Sequence, residues 1–153
     1  NIHIWPYKWG GSSEQTLAES LDDAKTKTIA YIEEHKALAE KYSKPIVLEE
    51  FGYPRDGFRF SRESTTTSRD EYYGFVFEYL GEQAAQRGLF AGCNFWAWGG
   101  SAKPSAEHEY WQQGDPYTGD PAQEQQGLNS VFNTDSTMNV IRTANRRLQE
   151  IVK

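Results

Sequence analysis

The sequence contains a single cysteine, Cys93, among its 153 residues, so it can form no internal disulfide. It contains no run of about 18 apolar residues, which excludes a membrane-spanning helix. Positive charge is also scarce, because 16 lysines and arginines stand against 22 aspartates and glutamates and the net charge is -6. Phosphate recognition needs clustered lysine and arginine. These absences predict a protein that binds neither nucleic acid nor a membrane.

Several catalytic motifs are missing as well. There is no G-x-S-x-G segment for a nucleophilic serine, and no glycine-rich segment of the kinds that cradle phosphate. The three histidines, His3, His35 and His108, are dispersed, and no H-E-x-x-H pair occurs. The sequence therefore predicts neither a metal nor a cofactor.

Aromatic residues are plentiful, at 14% of the chain with 5 tryptophans and 9 tyrosines. Apolar periodicity predicts strands over 1–5, 45–50 and 89–98. It predicts helices over 20–42, 68–86 and 136–152. Alternating strands and helices are typical of a parallel sheet with crossover helices, an α/β fold. A long loop over 99–127 is expected to be functional.

Two of the helices carry further sequence signals. Ser68 and Glu71 form a capping-box pattern that predicts the start of the second helix. In the first helix, Leu38 and Tyr42 fall on the predicted inward face with Ala24. The chain itself opens on "NIHIWP", in the middle of an apparent strand, and we therefore expect it to be a fragment or a processed chain.

The second predicted strand, within "KPIVLEEFGYPRD", ends in two carboxylates. Burying a carboxylate costs several kcal/mol unless it is paired. Because successive strand residues face opposite ways, Glu50 is expected to face the cleft and Glu49 the helix layer, paired with an arginine such as Arg55 or with backbone amides. Gly52 follows closely and lets a ligand or backbone approach.

A single acid at a strand end is more often an ordinary salt-bridge residue, and a single histidine is usually structural. Here, however, His3 and Trp5 end the first strand, Glu50 ends the second, and Trp96 and Trp98 end the third. The carboxyl ends of parallel strands meet at one edge, where active sites lie in α/β folds. Aromatic rings stack on sugar C–H faces, and a carboxylate can attack an anomeric carbon. The combination favours carbohydrate chemistry.

The segments "HIWPYKWG", "KPIVLEEFGYPRD" and "GCNFWAWGG" together resemble the last three strands of a glycoside hydrolase of family 5, of the β-mannanase type. The resemblance implies that residues 1–153 form the C-terminal part, about strands six to eight, of a single (β/α)8 barrel. The N-terminal part is expected to be absent from this chain. A complete barrel of this kind needs about 250 residues.

The resemblance also implies roles for individual residues. Glu50 matches the catalytic nucleophile. His3 matches the strand-six histidine, and Trp5 replaces the usual tyrosine, so that its indole N–H would have to bind the nucleophile. Trp96 matches the floor of the cleaved sugar, with Trp98 as the weaker assignment. The expected substrate-binding residues are His3, Trp5, Trp9, Trp96, Trp98 and Trp111, and the final loop would also bring Tyr110 and Tyr117 near the substrate.

The implied activity is hydrolysis of β-1,4-mannosidic bonds in mannan with retention of configuration. The acid/base glutamate of the family follows an asparagine, and no Asn-Glu pair occurs in this chain. That residue is expected on the missing part or on a second chain that carries the N-terminal half of the barrel. The alternatives are an exo-acting β-mannosidase, a β-glucanase, or a catalytically incomplete carbohydrate-binding fragment. The family implies an extracellular or periplasmic location.

Overall fold

The computed structural model describes residues 1–6, 17–59, 61 and 63–153. Trp9 lies outside the described residues. The predicted order of strands and helices is confirmed, with additions near the end of the chain. The elements are β1 (Ile2–Ile4), α1 (Leu21–Tyr42), β2 (Ile46–Phe51), a 3₁₀ turn (Asp56–Phe58), α2 (Thr67–Ala85), β3 (Phe90–Phe95), β4 (Trp98–Gly100), β5 (Val131–Phe132) and α3 (Thr137–Ile151).

The first three strands form one parallel sheet in the order β1–β2–β3, as predicted. Ile46 and Leu48 of β2 are buried under the helices. Crossover connections that contain α1 and α2 return the chain to the same end of the sheet, which is the β-α-β arrangement. Among the residues that the structure describes, β1 and β3 each pair on one side only. Because the three strands run parallel, their carboxyl ends lie together at one edge of the sheet.

An aromatic core joins β2 to α2. Phe51, Tyr53, Tyr72 and Tyr73 are fully buried. The ring centroids of Phe51 and Tyr73 lie 4.9 Å apart, and those of Tyr53 and Tyr72 also lie 4.9 Å apart. The Tyr72 hydroxyl is 2.7 Å from the hydroxyl of Thr28 on α1, so its polar end is satisfied inside the core. This packing fixes the end of β2, where the acidic residues lie.

The apolar face of α1 differs from the prediction. Ala24 and Ile32 are buried, but Leu38 is 50% exposed and Tyr42 is 62% exposed. Leu38 and Tyr42 line an open hollow together with Ile2 and Ile46, at the amino ends of β1 and β2. In the described part of the chain, no helix is both long and apolar enough to cross a bilayer.

The start of α2 also differs from the prediction. The capping box of Ser68 with Glu71 is wrong, because the helix begins at Thr67 and Glu71 instead binds Lys25, at 2.5 Å. The carboxylate of Asp56 accepts hydrogen bonds from the backbone N–H of Thr67 (2.8 Å) and of Ser68 (3.0 Å). A distant residue of the preceding loop thus satisfies the free N–H groups of the first turn.

We expect Asp56→Ala to lower the free energy of unfolding by about 1 kcal/mol at neutral pH, as for other lost helix caps. Burial raises the pKa of the Asp56 carboxyl, but the hydrogen bonds from Thr65, Ser68 and Thr67 outweigh burial and hold the pKa below its usual 3.8. A carboxyl with a lowered pKa in the folded state stabilises fully above its unfolded pKa. The difference between wild type and variant should therefore shrink as the pH falls below about 4. Urea denaturation at pH 7 and pH 3 measures it, and an equal difference at both values would contradict the assignment.

The third predicted strand is divided in two. It ends at Phe95, and Trp98–Gly100 pairs instead with Val131–Phe132 in a separate parallel pair. Between β3 and β4, Ala97 is bonded to the segment that leads into β5. Its N–H donates to Asn129 O at 3.3 Å, and its carbonyl accepts from the Val131 N–H at 2.8 Å. The segment 128–132, for which the sequence predicts no element, forms one side of the region beside the strand ends.

Candidate active site

Glu50 lies at the end of the central strand, 24% exposed, and its carboxylate has partners on β1 and just beyond it. The Trp5 indole N–H donates to Glu50 Oε1 at 2.6 Å. His3 Nδ1 lies 3.5 Å from Glu50 Oε2. The predicted bond from the indole of Trp5 is therefore present. The Trp5 indole thus holds one carboxylate oxygen of Glu50, and His3 faces the other.

The orientation predicted for Glu49 is wrong. Its carboxylate is 47% exposed and lies 3.8 Å from His3 Nε2, on the same side as Glu50. The reason is an irregularity in β2, where the register shifts between Leu48 and Phe51 and breaks the strict alternation of the strand. Leu48 and Phe51 both remain buried, so the two acidic residues between them both turn away from the core.

The pairing proposed for Glu49 with Arg55 is also wrong. Arg55 is fully buried, and its guanidinium binds Asp135 Oδ2 at 2.6 Å. A neighbouring arginine, Arg69, is equally buried and donates to the carbonyls of Tyr53 (2.6 Å) and Leu128 (2.5 Å). Sequence reasoning missed this network, which ties the segment after Glu50 to the segment before β5. Nothing local marked these two arginines as buried, because each stands among other charged residues, Arg55 before Asp56 and Arg69 before Asp70.

Gly52 makes the close approach that the sequence suggested. A Cβ atom at this position would lie 2.5 and 2.6 Å from the Trp5 ring and 2.8 Å from Trp96 O. The Trp96 N–H donates to Phe51 O at 2.7 Å, and the Tyr73 hydroxyl donates to Trp96 O at 3.2 Å. The ends of β1, β2 and β3 are therefore in direct contact around Gly52, and the Trp5 ring packs directly against the Gly52 backbone.

We expect Gly52→Ala to displace the Trp5 ring and to disrupt its hydrogen bond to Glu50. The added methyl group overpacks the site, at a cost of about 1–3 kcal/mol in the free energy of unfolding. Any activity that depends on Glu50 should fall at least about tenfold, because the carboxylate loses the hydrogen bond from the Trp5 indole and 1.4 kcal/mol corresponds to a factor of ten. Steady-state kinetics measures this. Gly74→Ala in α2 is the matched control, because its Cβ would meet only Val140, at 3.9 Å, and alanine favours a helix. Full activity in Gly52→Ala would show that the Trp5 position is not required.

The other tryptophans predicted to bind substrate, apart from Trp9, do not all lie at the strand ends. Trp96 lies beside Gly52 at the end of β3, half-buried, whereas Trp98 is 54% exposed on β4. Trp111 belongs to the loop between β4 and β5, where its ring stacks on Tyr117. The structure thus brings His3, Trp5, Glu50 and the Trp96 backbone together and places Trp111 on a separate loop.

Other catalytic chemistry finds little support in the described residues. They contain no group of three or more histidine, cysteine, aspartate or glutamate side chains placed to share a metal ion. Burial raises the pKa of the Cys93 thiol to about 12, so that it stays protonated and is a poor nucleophile. The groups best placed for chemistry are the carboxylates beside His3.

A carboxylate at the carboxyl end of a central parallel strand, bound by an indole N–H, is the kind of site found in α/β enzymes that act on carbohydrate. The chain belongs to glycoside hydrolase family 5. The family model described as "GH family 5 beta-mannosidase-like" matches residues 1–153. The resemblance stated from the sequence is confirmed at the level of the family.

Solved structures agree with this assignment. The chain is 30% identical to a family 5 mannosidase from Rhizomucor miehei, with a TM-score of 0.87 over 99% of this chain and 37% of that one. A mutant of that enzyme, also 30% identical with a TM-score of 0.87 and the same coverage, was solved with mannosyl-fructose. An endo-β-1,4-mannanase from Thermotoga petrophila is 22% identical, with a TM-score of 0.52 over 96% of this chain and 25% of that one, and shows similarity of fold alone. No curated protein matches the chain.

The chain thus spans about a third of the length of the mannosidase that it matches. Relatives of this family are TIM-barrel enzymes, and the parallel β-α-β units of this chain are consistent with that fold.

Proposed function

We propose that Glu50 is the nucleophile of a retaining hydrolase of β-1,4-mannosidic bonds. The observation that carries the proposal is the 2.6 Å hydrogen bond from the Trp5 indole to Glu50 Oε1 at the end of the central strand. A hydrogen bond to the charged form favours an ionised carboxylate, which a nucleophile must be. The family assignment supplies the reaction class.

In the first step, a carboxylate oxygen of Glu50 bonds to the anomeric carbon as the glycosidic C–O bond breaks. A second carboxylic acid gives its proton to the departing oxygen. In the second step, that residue removes a proton from water, and the water oxygen displaces Glu50 from the anomeric carbon. Two inversions give net retention. His3, 3.5 Å from Glu50, is placed to bind the substrate or to orient the nucleophile.

The second carboxylic acid is proposed to lie on the N-terminal part of the barrel, and this chain is proposed to supply strands six to eight. An apolar groove supports the need for a further part. It runs along the unpaired side of β3, between this strand and the last two helices, and is lined by residues that include Phe77, Phe90, Phe95, Ile141 and Leu148. Strands with one open side pair with other segments. The remaining part belongs either to the same polypeptide or to a second chain.

The substrate class is proposed as β-mannan or manno-oligosaccharide, and the location as extracellular or periplasmic. Endo-action is the first candidate. Exo-action as a β-mannosidase is the second, and it is favoured by the higher identity and TM-score to the Rhizomucor miehei mannosidase than to the Thermotoga petrophila mannanase.

The products of hydrolysis test the proposal. The complete enzyme is mixed with a β-1,4-manno-oligosaccharide, and the anomeric configuration of the first product is read by proton NMR before mutarotation. We expect the β-anomer, because Glu50 acts as a nucleophile. Initial release of the α-anomer would mean inversion and would exclude that role. Chain lengths in the same samples separate endo-action from exo-action, since only exo-action releases mannose first.

A further inference from the structure

The loop between β4 and β5 holds two aromatic rings in a stack outside the hydrophobic core. The ring centroids of Trp111 and Tyr117 are 5.2 Å apart, and the ring planes are inclined by only 11°. Tyr117 is 78% exposed, the highest value among the large apolar side chains of the described residues. A single exposed aromatic ring needs no explanation. An exposed ring that is stacked on a second ring, itself held by hydrogen bonds, does need one.

The support is organised around Asp115. The Trp111 indole N–H donates to the Asp115 carbonyl at 3.0 Å. The Asp115 carboxylate accepts from the Gln112 N–H at 2.8 Å and lies 3.1 Å from His108 Nδ1. The hydrogen bond from Gln112, with a smaller contribution from His108, holds the pKa of the Asp115 carboxyl below its usual 3.8. The carboxylate is therefore charged at neutral pH. The hydrogen bond from the indole N–H to the Asp115 backbone carbonyl holds Trp111 in one orientation.

The stack lies next to the strand ends. Gly119 follows Tyr117 by two residues, and a Cβ atom on Gly119 would lie 2.9 Å from Ala97, the residue after Trp96. The Gly119 N–H also donates to the Ser130 hydroxyl at 2.9 Å. The loop is thus pinned to the carboxyl end of β3, at the edge that carries Glu50.

We propose that the outer face of Tyr117 is a platform for one pyranose ring of a manno-oligosaccharide, away from the bond that is cleaved. Trp111 is the support rather than the contact, because Tyr117 covers one face of its ring and its N–H is engaged by Asp115. This inference rests on the proposed function and revises the substrate contact predicted for Trp111. An apolar C–H face of the sugar would cover the exposed ring, leaving the sugar hydroxyls in water.

The test compares two substrates of the complete enzyme, an aryl β-mannoside with one sugar and β-1,4-mannohexaose. We expect Tyr117→Ala to lower kcat/KM for the hexaose about tenfold more than for the aryl mannoside, the effect of one lost stacking contact. Tyr117→Phe keeps the ring and should restore the wild-type ratio. Trp111→Ala removes the support and should shift the ratio in the direction of Tyr117→Ala.

Tyr42→Ala is the matched control, because Tyr42 is 62% exposed but precedes β2, at the amino end of the strands. It should leave the ratio unchanged. Calorimetric titration of the Glu50→Gln variant with mannohexaose gives a second reading, and adding Tyr117→Ala should weaken binding about tenfold.

Equal effects of Tyr117→Ala on both substrates, or no effect on either, would overturn the platform, as would a Tyr117 covered by another part of the protein. These outcomes differ from failure of the proposed function. If Glu50→Gln stays fully active, the nucleophile assignment fails; if it is inactive and the substrate ratio does not respond to Tyr117, only the platform fails.

Discussion

Glu50→Gln is expected to lower kcat for β-mannoside hydrolysis at least about a thousandfold in the complete enzyme, with substrate binding largely kept. Glutamine has nearly the same shape and can still accept the hydrogen bond that Trp5 donates to Glu50 Oε1 at 2.6 Å. It cannot supply a carboxylate to the anomeric carbon. The loss should therefore appear in kcat rather than in the affinity for an oligosaccharide.

Glu49→Gln is the matched control for that change. The two carboxylates are adjacent, lie on the same side of β2 and both approach His3, at 3.8 Å for Glu49 and 3.5 Å for Glu50. Glu49 is half exposed, so its pairing contributes little to stability. We expect Glu49→Gln to change kcat less than about tenfold. Equal losses in the two variants would mean that the acidic pair acts through its summed charge rather than through one nucleophile.

Arg69→Met is expected to lower the free energy of unfolding by about 3–5 kcal/mol, the effect of breaking a buried charged network. The fully buried guanidinium donates to the carbonyls of Tyr53, Leu128 and Ser130, at 2.6, 2.5 and 2.9 Å. Methionine fills much of the volume but removes the guanidinium donor of the Tyr53 carbonyl, and it leaves Leu128 O and Ser130 O with only the longer hydrogen bonds from Arg55, at 3.1 and 3.4 Å. A buried acceptor without a partner costs about 1–3 kcal/mol.

Chemical denaturation of the complete protein measures this difference. Arg147→Met is the control, because Arg147 is 56% exposed and lies 3.7 Å from Glu78. A surface change of this kind should alter the free energy of unfolding by less than about 0.5 kcal/mol. If Arg69→Met were no worse than Arg147→Met, the buried network would not be what holds the 128–130 segment beside β2.

The parallel sheet could be predicted from the sequence because its signals are local. Ile46, Val47 and Leu48 form a short apolar run after a proline, and α3 repeats its apolar residues at helical spacing. The meeting of the strand ends then follows from the parallel topology alone. For the same reason His3, Trp5 and Glu50 could be expected at one edge before any coordinates were known.

What could not be predicted depends on distant partners. Alternation along β2 placed Glu49 against the helices, but the register shift before Phe51 is set by pairing with β3 and by the aromatic core. Asp56 caps α2 from eleven residues away in sequence, and no fixed spacing announces such a contact. The partner of Arg55 is Asp135, 80 residues further along the chain. Each of these contacts is decided by tertiary packing, which local patterns do not encode.

Mass spectrometry of a trapped intermediate tests the central claim most directly. The complete enzyme is treated with a 2-fluoro-mannosyl inactivator, in which fluorine at C2 slows the second step so that the sugar stays attached to the nucleophile. We expect one covalent label on the peptide that contains Glu50, present in Glu49→Gln and lost in Glu50→Gln. A label on any other peptide, or one that persists in Glu50→Gln, would contradict it.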